Sequence, residues 1–409
     1  MGFAPTQVVD FEAAIRVVLE QAESLPAPSL ERVSLSGSLG RVLAQAVKAD
    51  RDQPGFDRST RDGFAVRASD WVPGISLRVA GQVRAGDFWR GSPLEPRTAI
   101  EIMTGAPVPE GADAVAMVEH SRRSSDAILP LDGCSLVAGE NIVWRGSEAR
   151  AGAEVLPAGI RIGAAEIALA ATCGYAEVEV FRRPRVAIVS TGDELVEVDR
   201  SPEPHQIRNS NSYAIAAMVT AAGGVAERLP IARDLREEVQ DCITLGRKAD
   251  LLILSGGVSM GEYDLVEEVL GELGAEFFFT GVRMQPGKPV VFGKLPARGA
   301  APACFFFGLP GNPISTQVTF HCFAELLLRA LAGEASPAPR WAQATLAENV
   351  AGKPGLTRLL PARLDGTAVR VIPWQGSGDL AANARANVYA EFLPGKDYAA
   401  GDLIRVLLR

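Results

Sequence analysis

Between residues 8 and 24, Phe11, Ile15, Val18 and Ala22 recur at spacings of 4, 3 and 4. That is the stripe an amphipathic helix buries, so the pattern predicts a helix there. From about residue 30 to 180 the texture changes to short alternating runs broken by Gly and Pro. Ile75, Leu77 and Val79 alternate with Ser76 and Arg78, as in a half-buried strand, and the stretches 111–119 and 139–145 continue the pattern of a small β unit. A helical patch at 164–172 then leads into the apolar run 176–181. Beyond it the rhythm is strand and helix by turns. Strands are predicted at 185–189, 225–231, 250–254, 276–282 and 304–307, helices at 212–222, 235–247, 265–273 and 314–331, and a hairpin near 289–295. Such alternation implies a mostly parallel sheet covered on both faces, whose ligands sit beyond the carboxyl ends of its strands. Pro337 and Pro339 mark a linker, after which alternation at 368–372 and 403–408 predicts a second small β unit.

Composition narrows the class. A chain of 409 residues exceeds a single core, so about three domains are expected from length alone. Charged residues make up 22% and apolar residues 47%, which describes a folded globular protein and not a disordered one. The formal net charge of -8, without any block of Lys and Arg, argues against a nucleic-acid partner or an anionic membrane surface. Cys134, Cys173, Cys242, Cys304 and Cys322 are scattered, with no CxxC pair, so they read as free thiols in a reducing compartment. Met1–Asp10 lacks the charged and apolar regions of a signal peptide, and no apolar run approaches membrane-spanning length. A soluble, cytoplasmic protein is expected.

Three predicted strands end in glycine-bearing polar loops: STGDELV at 190–196, SGGVSMGEYD at 255–264 and GLPGNPIS at 308–315. Gly192 permits a tight turn beside the carboxylates of Asp193 and Glu194. Gly256, Gly257 and Gly261 let backbone N–H groups approach a ligand, and Asn312 and Pro313 open a helix whose start attracts anions. Each loop alone reads more readily as a plain turn with a helix cap. Three at one sheet edge favour a ligand that carries phosphate. QPGKP at 285–289 can aim Lys288 at an anion from a constrained backbone, although by itself the motif is better read as a solvated hairpin lysine. In FDRSTRDGFAVR at 56–67, Asp62 and Gly63 also suit a plain turn, and spacing leaves both readings open. The three histidines, His120, His205 and His321, have no metal-ligand spacing, and neither a GxSxG elbow nor a P-loop occurs. His321, in an apolar helix, reads as a core residue. Carboxylates and a lysine around an anion suit magnesium-assisted phosphoryl or oxyanion chemistry.

In this order, those loops resemble the molybdopterin molybdenumtransferases, the family that includes bacterial MoeA and gephyrin. IEIMTGAPVPEGADAVAMVE at 100–119 and QGSGD at 375–379 complete the set, and the likeness runs from about residue 7 to 408. The core 180–330 by itself also resembles pterin-adenylylating domains. The resemblance implies a multidomain α/β protein. Its expected parts are an N-terminal helix with part of a discontinuous dimerisation segment (1–50), a β domain carrying Asp62 and Thr104 (51–139), and the segment's return part (140–179). A doubly wound molybdopterin-binding core (180–333) and a C-terminal β-barrel (334–409) follow.

It implies further an elongated homodimer that inserts molybdate, as substrate, into adenylylated molybdopterin and releases AMP with the help of Mg²⁺. The active cleft is expected between the α/β domain of one subunit and the Asp62 domain of the other. An upstream adenylyltransferase and recipient molybdoenzymes would be its partners. Catalytic roles fall by resemblance on Asp62, Thr104, Glu194, Asp264 and Lys288, with Glu194, Asp264 and Asp62 as metal ligands. Substrate or anion contacts fall on Gly192, Asp193, Asp234, Gly256, Gly257, Ser259, Pro289, Pro310, Gly311, Asn312, Pro313, Ser315, Arg358 and Ser377. The chain departs from the family pattern at Arg61 and Phe64, where Met and Tyr are common, at Gln285, where some members have lysine, and at Leu356 and Pro361, where arginines are common. Pterin adenylyltransfer and a non-catalytic scaffold are the competing functions.

Overall fold

The computed structural model describes residues 7–257, 265–299 and 302–409. At its centre lies a six-stranded sheet in the order Val225–Arg228, Arg185–Ser190, Leu251–Ser255, Cys304–Leu309, Val291–Leu295, Glu276–Phe279. The first four strands are parallel, and the last two close the edge as antiparallel neighbours. Leu251–Ser255 and Cys304–Leu309 are buried along their whole length, which accounts for unbroken apolar runs instead of alternation. Successive side chains divide between the two faces. Ile188, Leu251, Ile253, Phe305 and Phe307 join one apolar cluster; Val189, Leu252, Leu254 and Phe306 join the other. Helices Arg236–Gly246 and Leu265–Glu272 cover the second face.

The first face is covered by Asn211–Ala221 and by the rod that runs from Pro313 to Leu331. The apolar pattern predicts one helix there; the structure keeps a continuous rod but widens it into a π turn over Phe320–Ala324. His321, in that turn, places Nδ1 2.7 Å from Glu325 Oε2 and is mostly buried. The N-terminal helix, Phe11–Glu23, packs on the same cluster, with Phe11 edge-on to Phe323 and to Trp341. Two predicted strands are cut short for local reasons. Pro230 has no N–H to extend the strand that ends at Arg228. After Phe279 the chain leaves the sheet, and Gly281–Val282 pairs instead with Val8–Val9.

Between the first helix and the core the chain runs out and back. Leu30–Ser34 pairs with Glu177–Phe181, Val47–Lys48 with Glu154–Leu156, and Arg58–Ser59 with Ile142–Val143, all antiparallel. At the far end is a second six-stranded sheet, in the order Ala114–Met117, Gly63–Val66, Thr98–Ile102, Leu77–Val83, Ala127–Pro130, Ser121–Ser124. The return path is tied to the core by Arg161, which donates to Gly40 O, Ala222 O and Glu334 Oε1 (2.9, 2.7 and 2.8 Å).

Past the linker, Thr357–Asp365, Ala368–Val371, Trp341–Leu346, Leu403–Leu408 and Val388–Phe392 close on themselves, because Val388–Phe392 also pairs with Thr357–Asp365. Closure into a barrel leaves its strands without free edges. Cys173, Cys304 and Cys322 are buried free thiols, with Cys134 and Cys242 part-buried. No helix among the described residues is long and apolar enough to cross a membrane.

Candidate functional site

Ser190, Ser255 and Leu309 stand side by side in register at the carboxyl ends of three adjacent parallel strands. The three glycine loops therefore leave the sheet next to one another. Their closeness demands glycine. A Cβ on Gly256 (φ +92°) would lie 2.4 Å from Thr191 O, and one on Gly257 (φ +64°) 2.6 Å from Thr191 Oγ1. Thr191 itself is buried, and its hydroxyl has no hydrogen-bond partner among the described residues.

Two asparagines that pattern reading passed over brace this edge. Asn211 Nδ2 donates to Ser255 Oγ (3.0 Å) and to Gly311 O (2.7 Å), joining the second and third loops. Asn209 Oδ1 accepts from Ser190 Oγ and from Ser212 N, both at 3.2 Å. The signal was present as RNSNSY at 208–213, two amides at the start of a helix.

On one flank is a group of acids. Asp193 Oδ1 accepts the Asp234 N–H at 3.2 Å. Desolvation first, then the charges of Asp193 and Glu194, push the Asp234 carboxyl above the ordinary aspartate value. Glu194 is exposed, and its carbonyl accepts Ile207 N at 2.8 Å, which fixes the loop. Ser259 and Asp264 lie outside the described residues. Among the described residues, no three His, Cys, Asp or Glu side chains are grouped so as to hold a metal ion.

On the other flank the long helix opens with Asn312 at its cap and Pro313 at its first position. Pro310 and Gly311 lead into it, and Ser315 is buried in its first turn. The Ile314 N–H is taken by Ser377 O of the barrel, at 2.9 Å. Asp379 holds that barrel loop by accepting from Ala382 N (3.0 Å) and Gln375 N (3.1 Å), and the Ala382 bond first, then Gln375, keeps its carboxyl low.

QPGKP packs one helical turn along: Gly287 lies against Thr319, and Thr319 Oγ1 donates to Ser315 O at 2.8 Å. Lys288 and Pro289 extend this loop. The Lys288 side chain is exposed and makes no ion pair among the described residues. The barrel adds cations here. Gln285 is in register with Arg358, and Gln285 Oε1 accepts Lys353 Nζ at 3.1 Å. Arg358 is partly committed, donating to Ala351 O and lying over the Phe392 ring at 5.5 Å; desolvation lowers its pKa. Lys353, unlike the two asparagines, carried no sequence signal, because its loop meets Gln285 only in the fold.

Asp62 and Thr104 meet in the N-terminal β unit. Asp62 Oδ1 accepts from Thr104 N at 2.6 Å and from Thr104 Oγ1 at 2.8 Å, and these bonds, the backbone one first, hold its carboxyl below the ordinary range. Its side-chain bonds among the described residues stay inside that unit. The structure thus brings the sheet-edge, QPGKP and Ser377 residues together and keeps Asp62 with Thr104 apart from them in the same chain.

Comparison with known proteins agrees along the chain. Residues 9–174 match the MoeA N-terminal region (domain I and II), 187–330 a probable molybdopterin binding domain, and 343–408 the MoeA C-terminal region (domain IV). A molybdopterin molybdenumtransferase of Nostoc sp. is 39% identical over 74% of this chain and 70% of its own length. One from Staphylococcus epidermidis is 34% identical over 92% of this chain and 90% of its own. A solved molybdopterin biosynthesis MoeA protein of Pyrococcus horikoshii superposes with a TM-score of 0.72 at 31% identity, covering 98% of this chain and 99% of that one. A solved molybdopterin biosynthesis MoeA protein of Pyrococcus horikoshii OT3 gives a TM-score of 0.77 at 26% identity over 98% of this chain and 100% of that one. With all three family regions in order and relatives above 30% identity over most of its length, this chain belongs to the MoeA family of molybdopterin molybdenumtransferases.

Proposed function

We propose that this protein is a cytoplasmic enzyme of molybdenum cofactor biosynthesis that joins molybdate to the dithiolene of adenylylated molybdopterin, cleaves the pyrophosphate linkage and releases AMP. The observation that carries this reading is the arrangement around GLPGNPIS. Carboxylates (Asp193, Glu194, Asp234) lie on one flank, and Lys288, without an ion pair among the described residues, lies with Ser315 and Ser377 on the other. The turns at Gly257 and Gly311 would offer backbone N–H groups to a pyrophosphate, while the Gly192 and Gly256 N–H groups brace the loops by donating to Ala232 O (3.2 Å) and Leu309 O (3.3 Å). Lys288 and Arg358 supply positive charge, and Ser315 and Ser377 supply hydroxyls, to wrap a tetrahedral oxyanion.

The oxygen-rich acids suit Mg²⁺, with Glu194, Asp264 and Asp62 as the residues that would hold it. Bound there, such an ion would offset pyrophosphate charge and polarise phosphorus. Since Asp62 and Thr104 sit apart from the sheet-edge loops of their own chain, the reading places them in the cleft of a second copy, in a homodimer. Asp62, kept ionised by Thr104, then presents a fixed carboxylate to the substrate. The upstream adenylyltransferase and the recipient molybdoenzymes are the partners that this reaction requires.

The test is cofactor synthesis by purified Asp62→Ala and Glu194→Ala proteins. Both are expected to fold and to lose turnover, and mixing them is expected to recover part of it, since mixed dimers contain one intact cleft. Full synthesis by Asp62→Ala would favour a scaffold over a catalyst.

A further inference from the structure

We propose that the C-terminal barrel carries a second ligand site, framed by Arg363, Arg370 and Arg385, for a small organic phosphate of the nucleoside monophosphate class. A solvent-open cavity of about 520 Å³ lies on the barrel, lined by these three arginines together with Val371, Ile372 and Pro373. Its size falls within the range of small-ligand sites, roughly 300–1,000 Å³.

Three exposed arginines gather around this one hollow, two of them across a strand pair. Arg363 and Arg370 are directly opposite each other in the antiparallel pair Thr357–Asp365 and Ala368–Val371. Like charges in that relation repel and weaken a sheet. Arg363 has one exposed neighbour, Asp365, at 3.4 Å, while Arg370 and Arg385 make no ion pair among the described residues. In a chain whose net charge is -8, two guanidinium groups without an ion pair among the described residues, beside the Asp365-paired Arg363, gather positive charge around one hollow. Two acids lie near: Asp379, which accepts the Ala382 and Gln375 N–H groups and feels the Arg385 charge, and Glu348, which accepts the Val371 N–H at 3.0 Å.

The chemistry of the lining selects the ligand. Guanidinium forks bind phosphate oxygens in pairs. The apolar wall of Val371, Ile372 and Pro373 has no use for a bare inorganic ion but can take the flat body of a base. The cavity lining includes none of the sheet-edge acids, yet Pro373 and Arg385 flank in sequence the loop whose Ser377 carbonyl holds Ile314 N. Occupancy of the barrel is therefore placed to steady that loop. The site stands on its own geometry, independent of the transferase reading.

The experiment is titration calorimetry of the full-length protein with AMP, adenosine and inorganic phosphate, repeated on Arg370→Gln/Arg385→Gln and on Lys288→Ala. AMP should bind the parent protein more tightly than either fragment. The arginine variant should lose a class of AMP site, its affinity there falling about tenfold or more. Lys288→Ala should keep that class. Unchanged AMP binding in the arginine variant would overturn the site, and phosphate binding as tight as AMP would overturn the ligand class. Melting supplies a second reading: without ligand, Arg370→Gln should match or exceed the parent, because it relieves the repulsion. A fall of more than about 5 °C would mean that the arginine serves the barrel's own stability, and the proposal would fail.

Discussion

Gly287 offers the sharpest perturbation of the anion-binding loop. Its φ is +104°, and a Cβ there would lie 2.4 Å from Thr319 Cγ2, far inside van der Waals contact, with Met284 Sδ next at 3.6 Å. In Gly287→Ala two effects add. A non-glycine residue at such a φ costs about 1–3 kcal/mol. Forcing a methyl into a filled interior costs about 1–3 kcal/mol more. The sum, roughly 2–6 kcal/mol, is removed either by unfolding or by moving QPGKP off the helix, which displaces Lys288.

Thr319→Ser separates the two terms. It deletes Cγ2 and keeps Oγ1, with its bonds to Ser315 O (2.8 Å) and Thr316 O (3.2 Å). Added to Gly287→Ala, it should restore about 1–3 kcal/mol, the steric share, and leave the backbone share. Urea unfolding reads the stability, and KM for molybdate against kcat reads the loop, the expected pattern being a raised KM. A Gly287→Ala protein with parental stability and KM, or one that Thr319→Ser does not help, would refute the reasoning.

Two further outcomes follow from the described bonds. Thr104→Val removes one of the two donors to Asp62, so the Asp62 pKa should rise toward the ordinary value while the backbone bond keeps part of the depression. A carboxylate with a depressed folded-state pKa stabilises above its unfolded pKa and loses that contribution as pH falls through the folded value. In the variant that loss should therefore begin at higher pH, as carboxyl NMR titration would record; an unmoved Asp62 titration would count against it. Glu334→Gln should destabilise by about 3–5 kcal/mol, because the mostly buried Arg161 and Arg329 both spend their charge on that carboxylate. A urea-measured loss under about 1 kcal/mol would mean the pairs behave as surface ones.

The elements that sequence made legible are those with a local cause. The N-terminal helix announced itself through Phe11, Ile15 and Val18, all buried in the structure. The central strands did so through runs such as LLILS, apolar because both faces are covered. The three loops were legible as a group because glycine recurs after each such run. Features created by distant pairing were not legible. Nothing near Gln285 tells that Lys353 will reach it, and Asn211 serves two loops whose meeting depends on strand order. The barrel's closure depends on a pairing between residues 357–365 and 388–392 that alternation alone does not specify. The π turn at Phe320–Ala324 is likewise silent, since helical periodicity reads through a single widened turn. Asp62 was readable as a turn residue, whereas its fixed, ionised state comes from Thr104, 42 residues away in sequence.

The central claim is that this protein couples molybdate to loss of AMP from the pterin substrate. Its most direct test is AMP release by purified protein supplied with adenylylated molybdopterin and Mg²⁺, with and without micromolar molybdate. The account predicts release that depends on molybdate and saturates with it. Tight pterin binding with no molybdate-dependent AMP would contradict it.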